Sequence, residues 1–125
     1  MMKVLQTLAL TILLITATES LLAQETSPAK KIYHNYLLKW KDSVNTDTKN
    51  EVMRLWKGLP AKVQGVAGFD IIDLSMSTEK FHTIVIVVFD TKEAYTKFTS
   101  HPDYARMAEL GLPLLSGLQE FDYLK

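Results

Sequence analysis

Cysteine is absent from the 125-residue chain. No disulfide framework, thiol nucleophile or Cys-based metal site can be built from it. Net charge is absent too, since 14 Lys and Arg balance 14 Asp and Glu. A neutral chain without a block of like charge lacks the electrostatic footprint of a nucleic-acid or anionic-membrane binder. Histidine is scarce: His34, His82 and His101 are the only three. They are far apart and show no HxH or HExxH spacing, so no metal motif is present. There is no Gly-rich phosphate loop, no Ser nucleophile elbow, no internal repeat and no low-complexity segment. Neither metal nor cofactor is expected. Stability must come from packing or from a partner chain.

What is present begins with an address. Met1-Met2-Lys3 is a short basic start, Val4 to Ala17 is largely apolar, and Thr18-Glu19-Ser20 is polar. This reads as a secretory signal peptide over residues 1–23, cut between Ala23 and Gln24. Leu21 is not ideally small for the third position before that cut, and a cut after Ser20 is the alternative. An uncleaved anchor is the competing reading, but the apolar run of ~14 residues falls short of the roughly 18 to 20 needed to span a bilayer. Removing the leader takes Lys3 and Glu19 together and leaves the balance at zero. The expected location is exported, periplasmic or secreted, with no membrane association after cleavage. Residues 24–31 form a flexible lead-in, and residues 32–125 one domain of modest core.

That domain is organised around Phe81 to Phe89, a run of β-branched and aromatic residues suited to a strand. Alternation puts Phe81, Thr83, Val85, Val87 and Phe89 on one side and His82, Ile84, Ile86 and Val88 on the other. Both sides are apolar, so both need cover. An alternating strand is also predicted over Ile32 to Lys41, with His34, Tyr36, Leu38 and Trp40 sharing a face. Thr48 to Glu51 fits a capping box. The stripe Val52, Leu55, Trp56 and Leu59 predicts a helix, with Trp56 in the core, ended by Gly58 and Pro60. Val66 to Met76 reads as the second strand, joined to the third by a tight turn at Ser77 to Lys80. Asp70 and Asp73 on it have opposite parity and cannot form a carboxylate pair.

A second capping signature at Asp90 to Glu93 opens a short helix with Ala94, Tyr95 and Phe98 inward. Pro102 suits the first turn of another helix, which Gly111 would cap. Gln119 to Leu124 is the last strand, with Phe121 and Tyr123 on one face. The order β-α-β-β-α-β is an α+β, ferredoxin-like plan: a four-stranded antiparallel sheet with helices on one face. Its open face would expose a large apolar patch, so a homodimer with two sheets packed face to face is expected.

Three stretches resemble one family. Tyr33-His34 leading to Lys39-Trp40-Lys41-Asp42, Ile84 to His101-Pro102, and Phe121-Asp122-Tyr123 are similar to the stress-responsive dimeric α/β-barrel (Dabb) domain. The resemblance covers about Tyr33 to Tyr123. It implies two ferredoxin-like subunits whose sheets form a dimeric α/β-barrel. The family's best-understood enzyme, a plant polyketide cyclase, uses a Tyr near the helix end and a second His two residues beyond the Pro of an H-P corner. Here those positions hold Phe98 and Tyr104, in Phe98 … His101-Pro102-Asp103-Tyr104. Tyr104 titrates too high for a good general base at neutral pH, so the cyclase activity is not carried over.

The ligand-binding candidates are His34, Tyr36, Phe98, His101 and Tyr104, with His34 and Tyr104 the catalytic candidates. His34, matched by the resemblance to the family's early His, is either an acid–base group or a satisfied core His. His101 is either a cap for the next turn or part of a cleft mouth. His82 reads as structural. Tyr104 either binds a ligand or packs against Met107. The expected function is binding of a small apolar or aromatic molecule by an exported homodimer. The alternative is a cofactor-free cyclase, lyase or monooxygenase on an aromatic or polyketide-like substrate, using His34 and Tyr104. A purely structural assembly protein is the third reading.

Overall fold

The computed structural model describes residues 29–74 and 80–125. The leader and most of the Ser77 to Lys80 turn lie outside the described residues. Strand β1 (Ile32–Trp40) is followed by helix α1 (Thr46–Gly58), a 3-10 turn (Leu59–Lys62), β2 (Val66–Asp73) and β3 (Thr83–Phe89). Helices α2 (Lys92–Thr99) and α3 (Pro102–Gly111), a second 3-10 turn (Leu112–Leu114) and β4 (Leu115–Leu124) complete the chain. The sheet order is β2-β3-β1-β4, and each neighbouring pair is antiparallel. This is the ferredoxin-like arrangement predicted from the sequence. The four-stranded sheet of one chain is open, not a closed barrel. No helix among the described residues is long and apolar enough to cross a membrane.

Period-two alternation divides the sheet. On β3, Val85, Val87 and Phe89 are fully buried under the helices, while Ile84, Ile86 and Val88 are only partly covered. Pairing continues each row across the sheet. Tyr36 lies between Val85 and Glu120, and Asn35 lies between Ile86 and Phe121. The open face therefore carries Tyr33, Leu37, Ile84, Ile86, Val88, Phe121 and Tyr123, with the Tyr33 and Tyr123 rings stacked 5.0 Å apart. Asn35, buried at its centre, is anchored by donating to the carbonyls of Tyr33 and Phe121 at 3.3 and 3.4 Å.

The helix stripe is as expected, with Val52, Leu55, Trp56 and Leu59 buried. Both helix starts differ from the capping boxes read in the sequence. The cap of α1 is Asn45, whose side chain accepts from the Thr48 amide at 3.0 Å. Thr48 lies inside the first turn, because an Asn three residues earlier already satisfies its free amide. The cap of α2 is Thr91, which accepts from the Ala94 amide at 3.1 Å. Gly111 is not a left-handed cap. It is the last residue of α3, in helical conformation, and a Cβ there would stand 3.3 Å from Val52 Cγ1. The glycine allows α3 to lie close against α1. β2 ends at Asp73 and β4 begins at Leu115, earlier in both cases than the apolar pattern suggested.

Candidate functional site

Tyr36 is the centre of the site because β1 sends it into the gap between the sheet and the helices. Its neighbours on the same face, His34, Leu38 and Trp40, are also buried. Trp56, on the inward stripe of α1, tilts against Tyr36 with ring centroids 4.8 Å apart. From the far side α3 brings in Tyr104, whose hydroxyl lies 3.4 Å from the Tyr36 hydroxyl. The start of α3 is fixed by two contacts. His101 Nδ1 accepts from the Asp103 amide at 3.0 Å, and Lys62 Nζ donates to Asp103 Oδ2 at 2.5 Å. β4 closes the remaining side with Leu115, Leu118 and Glu120.

These elements leave a cleft with a cavity volume of about 70 Å³, open to solvent along one side. Its walls are Tyr36, Leu38 and Trp40 of β1, Val52 and Trp56 of α1, and Tyr104, Met107, Ala108 and Gly111 of α3, completed by Leu112 and the β4 residues. Apolar walls with a few converging polar groups are the usual form of a small-molecule site. Burial pushes both phenols up from their ordinary values, Tyr36 furthest, and the charge of Glu120 adds to the rise at each. Both are therefore neutral hydrogen-bonding groups at physiological pH, not phenolate bases.

His34 sits beside Tyr36 at one end, the rings 4.4 Å apart and near edge-to-face. Its Nδ1 is hydrogen-bonded to Asp122 Oδ1, the carboxylate accepting. Nε2 is buried, lies 3.6 Å from Glu120 Oε1 and has no hydrogen-bond partner. Tyr95 of α2 packs on the other side of the ring, 5.2 Å away. Among the described residues no group of three or more His, Asp or Glu could hold a metal ion.

The five sequence candidates separate. Tyr36 and Tyr104 line the cleft, and His34 adjoins it through Tyr36. Phe98 does not reach it. It is fully buried, packed 5.2 Å from Phe89 and 5.8 Å from Tyr104, because α2 points it into the core beneath the cleft. His101 is not at the mouth, because its ring is used to cap α3. His82 accepts from the Trp40 amide at 3.3 Å, a structural contact.

The sequence reading missed Glu120 and Asp122; Trp56, read as core rather than ligand platform, is buried in the core and also lines the cleft. A signal for the carboxylates existed. Phe121 and Tyr123 share a face, so Glu120 and Asp122 must share the other. Apolar character suggests that the aromatics turn inward. Pairing with β1 does the opposite: Asp122 lies across from His34 and Glu120 across from Tyr36, on the helix side.

Comparison with known proteins agrees with the fold. The profile of the stress-responsive A/B barrel domain (Dabb) family matches residues 32–124. A dimeric ferredoxin-like protein of unknown function from Thermobifida fusca YX superposes with a TM-score of 0.68 at 20% identity, covering 78% of this chain and 92% of that one. A Dabb family protein with a ferredoxin-like fold from Mesorhizobium loti gives 0.63 at 20%, covering 77% and 97%. Hydroxynitrile lyase from Passiflora edulis gives 0.67 at 11%, covering 78% and 95%. No curated protein matches the chain.

Proposed function

The chain belongs to the stress-responsive A/B barrel domain family, and we propose that it works as a homodimer whose helix-side cleft binds a small apolar or aromatic molecule. One observation carries the ligand reading: the Tyr36–Tyr104 hydroxyl pair and Glu120 converge on an otherwise apolar cleft. A flat ring would lie along Trp56 and Met107 and place one polar group against the phenols. The dimer reading has separate support. The open sheet face is apolar, and the Thermobifida fusca relative and a Bacteroides fragilis relative are both described as dimeric. Joining two copies through that face would leave each cleft on the outer, helical side.

Trp56 reports on the cleft directly. Titrating the purified protein with 2-phenylethanol should change tryptophan fluorescence saturably, with a Kd of about 10 µM to 1 mM for so small a ligand. Trp40 also lines the cleft, so Trp56→Phe should reduce the change and leave the part reported by Trp40. A flat response from the wild-type protein, with phenols and other single-ring probes also silent, overturns the binding reading. We also propose export, on the basic and apolar start of the chain. Terminal sequencing of the mature protein from its host should begin at Gln24 or Leu21, and an intact Met1 would refute it.

A second reading, a cofactor-free cyclase, lyase or monooxygenase on an aromatic substrate, is favoured by the placement of His34 beside Tyr36. Asp122 orients the ring, and the unpartnered Nε2 has the position of a general base. Tyr104 and Tyr36 would then supply hydrogen bonds to an oxygen of the substrate. In that case His34→Gln would abolish turnover while leaving 2-phenylethanol binding within about threefold. Equal turnover by wild type and variant would remove His34 from the chemistry.

A further inference from the structure

The charge at the polar end of the cleft specifies more than an aromatic body, an inference that rests on the binding reading above. Glu120 is the one charged side chain among the described residues lining the cleft. It is half-exposed, and its only ion-pair partner among the described residues is His34 Nε2 at 3.6 Å, beyond hydrogen-bond length. His34 is already engaged by Asp122. Two carboxylates and one imidazole thus share this end, which is net negative whether or not the ring is protonated. Lys49 stacks 4.6 Å over the ring of Trp40, a lining residue, and it borders a different depression with Lys41 and His82. Glu120 lies across from Tyr36 and its charge is felt by Tyr36 and Tyr104, whose rings both pack on Trp56.

We infer that the cleft selects an arylalkylamine: an aromatic or apolar body carrying a cationic amine directed at Glu120. A carboxylate completes the pairing of an ammonium group, and aromatic rings stabilise the same cation by their faces. The neighbouring phenol oxygens accept its remaining hydrogens. An anionic ligand of the same shape meets Glu120 with no cation in the lining to offset the repulsion.

Three probes of similar size separate the possibilities: 2-phenylethylamine, 2-phenylethanol and 3-phenylpropionate, titrated at pH 7 into the mature protein at low salt. The amine should bind at least about tenfold more tightly than the alcohol, and the propionate at least about tenfold more weakly. Glu120→Gln should reduce the amine's advantage to under about threefold, with the alcohol titration showing that its cleft is intact. Glu109→Gln, an exposed charge of α3 that does not line the cleft, should leave the advantage unchanged. Raising salt to about 0.5 M should shrink it in the wild-type protein, a check that needs no variant. Equal binding of amine and alcohol, tightest binding by the propionate, or a preference that survives Glu120→Gln or falls equally with Glu109→Gln overturns the inference. Silence from all three probes overturns the binding reading beneath it.

Discussion

The two faces of the sheet are built from the same kinds of residue and have different fates. On β3, Val85, Val87 and Phe89 turn to the helices and reach zero exposure, while Ile84, Ile86 and Val88 turn away and stay partly open. On β4 the residue types change places, though all four side chains are about half-exposed. Phe121 and Tyr123 stand 47% and 44% exposed on the open face, while the carboxylates of Glu120 and Asp122 face the helix layer. A monomer would have these the other way round, with aromatics in and carboxylates out. The inversion is intelligible if each face serves a different purpose. The aromatic face meets a second copy, as we propose, and the acidic residues orient His34 and mark the end of a cleft.

If the covered face holds the fold and the open face holds the dimer, mutations on the two should separate. Phe89→Ala empties a fully buried position between Tyr95 and Phe98. It should cost about 3–5 kcal/mol in urea unfolding. A loss below about 1 kcal/mol would mean that the helix-side core is not what holds the chain together. Gly65→Ala comes next, at about 2–4 kcal/mol from the sum of a left-handed backbone penalty and overpacking. Gly65 has φ of +92°, and a Cβ would stand 2.7 Å from Ala94 Cβ, where α2 presses on the edge of the covered layer. Thermal melting of the variant checks it, and an unchanged Tm contradicts the close approach.

Ile86→Lys addresses the other face. It should convert a dimer to a monomer in sedimentation velocity while changing the stability of the isolated chain by no more than about 1 kcal/mol. A dimer that persists places the interface elsewhere. The smallest effect belongs to the Lys62–Asp103 pair, which ties the first 3-10 turn to the start of α3. The hydrogen bond from Lys62 holds the Asp103 carboxyl below its ordinary value. A lowered carboxylate contributes stability that is present above its unfolded pKa of about 3.9 and lost as pH falls through the lower folded value. Lys62→Met should therefore lower Tm slightly at pH 7, with the gap to wild type closing below about pH 4. A gap that widens in acid would reverse the sign.

These faces were only half legible in the sequence. The two-sided strand, the stripe Val52, Leu55, Trp56 and the Pro102 helix start are local periodicities, and each appears as read. The β-α-β-β-α-β order followed from them. What required long-range information was the orientation of β4, since alternation shows that Phe121 and Glu120 part company but not which one meets the helices. The register with β1 decides that, 88 residues away for His34 and Asp122. Phe98 points inward as read, but its depth below the cleft needed the same long-range information. Its family position suggested the cleft, but the packing of α2 on Phe89 sends it beneath. The helix caps were shifted because Asn45 and Thr91 offer side-chain acceptors just ahead of the positions that fit the box pattern. Gly111 looked like a helix stop, and its contact with Val52 could not be seen without the second helix.

The most direct test of this division is to label the protein with ¹⁵N and follow its amide shifts during titration with 2-phenylethanol. Saturable shifts confined to cleft residues, among them Tyr36, Trp56, Tyr104, Met107 and Glu120, with Ile86, Phe121 and Tyr123 unmoved, are the predicted result. Shifts concentrated on the open face instead, or none that saturate, would contradict the account.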